Sequence, residues 1–145
     1  MIPHTPWAHV PTHLTSRLEI VIRFCETDLM GIVHHANYLT YFEAGRVEWL
    51  RRRGVTYAEW AAKGVHLPVV EAMVRYRLPA RFDEELELET SLTQRRAVSL
   101  RFEYRLRRDA TLLAEGFTRL ACLDGKHALQ RIPEDMYAVL EGPEI

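Results

Sequence analysis

The 145 residues include 48% hydrophobic and 27% charged side chains with a formal net charge of -1, which fits one soluble globular domain and gives no global electrostatic ground for a nucleic-acid or anionic-membrane partner. Cys25 and Cys122 lie far apart and form no CxxC, which points away from a disulfide scaffold or zinc site and toward a reducing compartment. The N-terminus shows no signal-peptide pattern, and no apolar run approaches the roughly 18 residues that cross a bilayer, so the expected location is cytoplasmic.

Residues 1–16 read as an N-terminal arm, with Pro3, Pro6 and Pro11 interrupting any periodicity and Trp7 available to anchor it in a pocket. Residues 17–145 read as one domain. From Arg17 to Phe24, Leu18, Ile20 and Ile22 alternate with Glu19, Val21 and Arg23, which predicts a strand. Glu26-Thr27-Asp28-Leu29-Met30-Gly31 then breaks the alternation with turn-forming residues. A helix is predicted from about His35 to Arg53. Tyr38, Leu39, Phe42, Val47, Trp49 and Leu50 make it apolar on several sides, hence buried. Three arginines suit its C-terminal dipole, Gly54 ends it, and a short helix follows over Tyr57 to Lys63.

The remainder reads mostly as strand. Val65 to Leu78 is a long apolar segment in which Pro68 marks an edge or a bulge. Glu85, Glu87 and Glu89 alternate with Leu86, Leu88 and Thr90, and Arg101, Glu103, Arg105 and Arg107 alternate with Leu100, Phe102, Tyr104 and Leu106. A last strand spans Leu112 to Leu123 after a turn at Arg108-Asp109-Ala110, and Pro133 to Leu140 forms a terminal helix. One strand, one buried helix and four successive strands able to pair as antiparallel neighbours make an α+β domain. One helix cannot cover both faces of such a sheet, so the sheet must wrap around it or meet another subunit. The basic runs Arg51-Arg52-Arg53, Arg95-Arg96 and Arg107-Arg108 read as solvated faces.

The chemistry concentrates between Arg23 and Tyr38, where a carboxylate in a turn, Asp28, precedes two imidazoles, His34 and His35, and the start of the long helix. A helix start offers unpaired N–H groups and partial positive charge, able to hold a carbonyl oxygen that gains charge during acyl transfer. Asp28 is ionised at neutral pH and can serve as nucleophile or general base. An Asp before a Gly is equally ordinary turn chemistry, and adjacent histidines cannot both face one metal from a regular helix. Cys25 could act as a nucleophile, although an isolated cysteine beside a strand also reads as inert filling.

Glu26-Thr27-Asp28 with Gly31, Val33, His35, Asn37, Tyr38, Glu43, Arg46 and Glu48 is similar to the first motif of the 4-hydroxybenzoyl-CoA thioesterase family, particularly the YbgC-type acyl-CoA thioesterases. The resemblance runs from about residue 17 to 138. It continues through Pro79-Ala80-Arg81, Asp83, Leu86, Thr90, Ser99-Leu100 and Leu112-Leu113-Ala114-Glu115-Gly116 to Arg131-Ile132-Pro133. It implies the hotdog fold, a five-stranded antiparallel sheet wrapped around one long helix. It implies an acyl-CoA thioester hydrolase with Asp28 as its catalytic carboxylate and with His35 supplying the backbone N–H and, in addition, a side-chain contribution. It also implies contacts from Arg95, Arg96 and Ser99 to CoA, a homodimer or homotetramer with sites at the subunit interface, and no cofactor beyond the CoA of the substrate. An arginine suits CoA phosphates as a planar, multi-donor cation. Relatives often carry tyrosines where Phe24 and His34 stand and an acidic residue at Cys25. A hotdog dehydratase or hydratase, and a non-catalytic acyl-CoA-binding or scaffold domain, are the alternative functions.

Overall fold

The computed structural model describes residues 10–145; the expected anchoring of Trp7 lies outside them. The elements are β1 (Thr15–Val21), α1 (Asn37–Arg51), α2 (Tyr57–Ala62), β2 (Val69–Tyr76), β3 (Glu85–Arg95), β4 (Ser99–Arg108), β5 (Thr111–Ala121) and α3 (Glu134–Glu141), with short 3-10 turns at Thr12–Leu14 and Phe24–Glu26. The five strands form one antiparallel sheet in the order β1-β3-β4-β5-β2. This is the expected hotdog arrangement, with one difference of topology. β2 does not neighbour β3; it crosses to the far edge and pairs with β5, from Val69↔Leu120 to Tyr76↔Ala114. The β3 edge is taken by β1, with Leu18↔Leu88 and Ile20↔Leu86 in register, so β1 and β2 form the two margins of the sheet. The edge reading of Pro68 fits this position: Pro68 immediately precedes β2, and a register shift separates Val69 from Glu71.

Alternation explains how one helix suffices. Leu86, Leu88, Leu92, Leu100, Phe102, Tyr104, Leu106 and Leu120 belong to one buried cluster with the apolar side chains of α1. The other face carries charge, with Arg107 bonded to Glu89 at 3.0 Å, Arg77 to Glu115 at 3.0 Å and the Arg101 guanidinium 4.0 Å over the Phe117 ring. That face therefore carries paired charges, with Glu115 and Phe117 themselves buried beside the arginines. The buried side chains of α1 are Tyr38, Tyr41, Phe42, Arg46, Trp49 and Leu50, one broad stripe at i, i+3, i+4, i+8, i+11 and i+12. Leu39 stands outside it and is exposed, so the helix is apolar on one wide face and not all round. Phe42 stacks on Tyr104 with centroids 4.2 Å apart, and Trp49 meets Phe102 edge-on at 5.3 Å. Gly45 permits this approach, because a Cβ there would overlap Thr90 Oγ1 and come within 2.6 Å of Leu88 Cδ2.

The end of α1 departs from the solvated-face reading of its arginines. Arg53 is buried. It donates to the carbonyls of His13, Trp49 and Gly142 and to Ser16 Oγ, and its guanidinium lies 3.6 Å from the Trp49 ring centroid. Burial lowers its pKa to about 10, still protonated at neutral pH. Trp49 Nε1 donates to the Leu14 carbonyl at 2.9 Å, and β1 begins at Thr15, two residues earlier than the alternation suggested. Gly54, at φ +84, ends the helical run as expected.

Candidate active site

The Asp28 loop is a small hairpin fastened at both ends. Thr27 and Val33 form an isolated antiparallel bridge, and Ile32 bridges Arg81. Asp28 N–H donates to the Ile32 carbonyl at 2.9 Å, and Val33 N–H to the Ala80 carbonyl at 2.8 Å. Within the turn, Gly31 N–H reaches the Asp28 carbonyl and Met30 N–H donates to Asp28 Oδ1 at 2.8 Å, an Asx-type turn. The Asp28 carboxylate is thus half-buried and held by one oxygen. Among the described residues no hydrogen bond occupies Oδ2.

Glu26 ties this hairpin to α1 and was not singled out as a site residue in the sequence. Its carbonyl accepts from His34 N–H at 2.9 Å and from Asn37 Nδ2 at 2.8 Å. Its carboxylate is buried and accepts from Arg23 N–H, Arg23 Nε and the Tyr41 hydroxyl at 2.8, 3.0 and 2.9 Å. Burial pushes the Glu26 pKa up, but these three donors outweigh it and hold the group below its ordinary value. The same contact and burial raise the Tyr41 phenol. The signal in the sequence was a second carboxylate, Glu26, two residues before Asp28.

α1 begins at Asn37, two residues later than predicted, because His34 to Ala36 form a turn closed by Asn37 N–H on the His34 carbonyl at 3.0 Å. Ala36 N–H donates to His34 Nδ1 at 3.2 Å, and the His34 and His35 rings lie 4.1 Å apart. His34 Nδ1 is therefore an acceptor, and its ring serves the turn. The helix has no side-chain cap. Among the described residues the His35 N–H has no hydrogen-bond partner, while the His35 carbonyl accepts from the Tyr76 hydroxyl at 2.8 Å. A half-buried carboxylate and an open amide beside the positive end of a helix thus belong to the same short loop. That pairing can place a nucleophile or base on one side of a carbonyl group and a donor at its oxygen.

Other predicted residues fall elsewhere. Arg95, Arg96 and Ser99 sit at the β3–β4 turn, whereas the Asp28 loop follows the end of β1 that pairs with the start of β3 (Val21↔Glu85). The length of β3 separates them, so one chain does not bring them together. Arg95 pairs with Glu141 and lies 4.4 Å over the Tyr137 ring, and Arg96 N–H donates to the Ser99 carbonyl. Thr27 Oγ1 donates to the Phe24 carbonyl at 2.7 Å, capping the 3-10 turn. Cys25 is exposed in that turn and is not packing material in a strand, while Cys122 is buried; both are free. Tyr38, Phe42 and Trp49 are core. Apolar side chains surround the Asp28 loop in the open, with Leu29, Met30, Phe24 and Phe82 all exposed and Phe24 meeting Phe82 edge-on at 5.5 Å. A cleft of about 410 Å³ lined by Tyr57, Val65, His66, Leu67 and His127 includes neither Asp28 nor His35. Among the described residues no cluster of His, Cys, Asp or Glu is arranged to hold a metal ion, and no helix is long and apolar enough to cross a membrane.

Comparison with known proteins converges on one group. A family model described as the thioesterase-like superfamily matches residues 22–140. The acyl-CoA thioester hydrolase YbgC of Escherichia coli is 34% identical over 109 residues, covering 74% of this chain and 81% of that protein. Among solved structures, a hypothetical protein from Thermus thermophilus superposes with a TM-score of 0.83 at 47% identity, over 86% of this chain and 96% of its own. A DHNA-CoA thioesterase from Staphylococcus aureus gives 0.82 at 26% identity, over 86% and 87%.

Proposed function

This chain belongs to the thioesterase-like superfamily and is a thioester hydrolase, and from that premise we propose that it cleaves acyl-CoA with Asp28 as the reacting carboxylate and the His35 amide as the donor to the thioester oxygen. The observation that carries the reading is the unpaired His35 N–H on the same tethered loop as a carboxylate with one free oxygen. In the proposed reaction the thioester carbonyl rests against that amide, near the positive end of α1. Attack makes the oxygen an oxyanion, which a fixed N–H stabilises without reorganising. The tetrahedral species then expels the CoA thiolate, and water delivers the free acid. The chemistry calls for no metal or further cofactor.

Asp28 enters in one of two ways. It attacks the carbonyl carbon itself, forming a mixed anhydride that water opens, or it removes a proton from the attacking water. A single turnover in 18O-water tests the first route, because label in the Asp28 carboxylate arises only from an anhydride that water opens at the aspartyl carbon, whereas general-base catalysis labels only the product acid.

The assembly proposed is a homo-oligomer with sites shared between subunits. Two observations support it: the apolar side chains around Asp28 stand open in one protomer, and Arg95, Arg96 and Ser99 lie a sheet-length away from Asp28. A neighbouring copy would bring its Arg95–Ser99 turn to the CoA phosphates, where arginine donors bind well.

The first test is thiol release across a panel of acyl-CoA chain lengths, with Asp28→Asn as its control. The variant keeps the shape of the turn and is expected to lose at least ~100-fold in kcat. Near-normal turnover by Asp28→Asn would remove Asp28 from the mechanism. Appearance or loss of an enoyl absorbance without thiol release would mark a dehydratase or hydratase, and CoA binding with no release from any acyl-CoA a binding domain.

A further inference from the structure

Tyr76 closes the edge strand β2 and is half exposed. Its ring meets Tyr38 edge-on with centroids 5.1 Å apart, a contact that a phenyl ring would make equally well. The hydroxyl is the part that packing does not require. It reaches back 41 residues and donates to the carbonyl of His35 across 2.8 Å, the residue whose own N–H is left open at the start of α1. Residue 35 has few other restraints. The ties from Glu26 hold His34 and Asn37 on either side of it, its side chain is exposed, and α1 carries no side-chain cap that would fix the entering backbone. The carbonyl held by Tyr76 and the open N–H share one Cα, so fixing the first limits the rotation that would swing the second away.

We propose that Tyr76 is a positioning residue for thioester hydrolysis, its hydroxyl holding the backbone of His35 so that the adjoining N–H stays aimed at the developing oxyanion. The assignment rests on the reading of His35 as the oxyanion donor. An oxyanion donor works through pre-set orientation, and small displacements of such a group reduce rate steeply. Tyr76 does not touch the reacting atoms. Because its bond sharpens a geometry that matters most in the transition state, its loss belongs in kcat, with substrate binding largely spared.

The test is Tyr76→Phe in the full chain, read in three ways. In steady-state hydrolysis kcat falls about 10-fold, with KM within about twofold. A thioether analogue of acyl-CoA, which cannot form an oxyanion, binds as it does to the unaltered protein. A CoA-linked trifluoromethyl ketone, which takes on the tetrahedral anionic form, binds about 10-fold more weakly, matching the loss in kcat. A purely structural hydroxyl would lower the melting temperature and weaken both analogues together, and that pattern overturns the proposal, as does unchanged kcat and ketone affinity. The parent reading has its own control. If the His35 amide resonance of the unaltered protein does not move when the ketone binds, His35 is not the donor. If it moves there and moves identically in Tyr76→Phe, the positioning role alone fails.

Discussion

Glu26 and Asp28 are two carboxylates two residues apart with opposite circumstances, and the difference assigns their work. Glu26 is buried with three donors on its side chain, whereas Asp28 has one donor and a free oxygen. A carboxylate saturated with donors is a poor nucleophile and a good anchor. Its folded-state pKa lies below the ordinary glutamate value of 4.5, so its contribution to stability is present above the unfolded value and is lost as pH falls through the folded one. Thermal unfolding followed between pH 6 and 3 is therefore expected to show a stability loss below about 4.5 that Glu26→Gln largely removes. The same variant at neutral pH is expected to lower kcat by about 10-fold by loosening the tie to Tyr41, measurable by thiol release. At Cys25 the exposure of a free thiol in the 3-10 turn corrects the reading of it as inert filling beside a strand.

The same physics decides which parts of the elements could be read from the sequence. β3 and β4 were legible because strict alternation of Leu with Glu, and of Leu, Phe and Tyr with Arg, leaves no other way to bury one face. The site was legible in its residues, since Asp28 and His35 were both named, and illegible in its fastening. Tyr76 lies 41 residues from His35 and Ala80 lies 47 from Val33, and no local pattern announces such a contact. The start of α1 was misplaced by two residues because His34 Nδ1 satisfies Ala36 N–H from within the turn, a bond with no periodic signature. The close seating of α1 on β3 was also hidden in a single Gly45. Gly45→Ala improves intrinsic helix propensity by about 1 kcal/mol, yet its methyl group meets Leu88 and Thr90 in a packed interface. The expected balance is a net destabilisation of about 1–2 kcal/mol, checked by urea unfolding; a stabilised variant would show that the helix can lift without cost.

Arg53 joins parts of the molecule that are far apart in the chain: His13 and Ser16 before and within β1, Trp49 on α1, and Gly142 after α3. Lys cannot replace its planar fork of donors. Arg53→Lys is expected to lower stability by about 2–3 kcal/mol, near the value of one or two charge-assisted hydrogen bonds, with thiol release at 25 °C little changed, since Arg53 sits at the opposite end of α1 from His35. Urea unfolding together with an activity assay checks both halves of that expectation. The strand order has a consequence of another kind, in time. β1 and β2 occupy opposite margins of the sheet and do not touch, so neither has a partner until β3 or β5 exists. During synthesis, which runs from the N-terminus, everything up to residue 84 leaves the ribosome as a helix-bearing chain without a ladder to join. β1 can pair only once β3 has been made, and β2 only once β5 has been made. A nascent chain halted before Glu85 would thus carry both future margins with no strand to pair with.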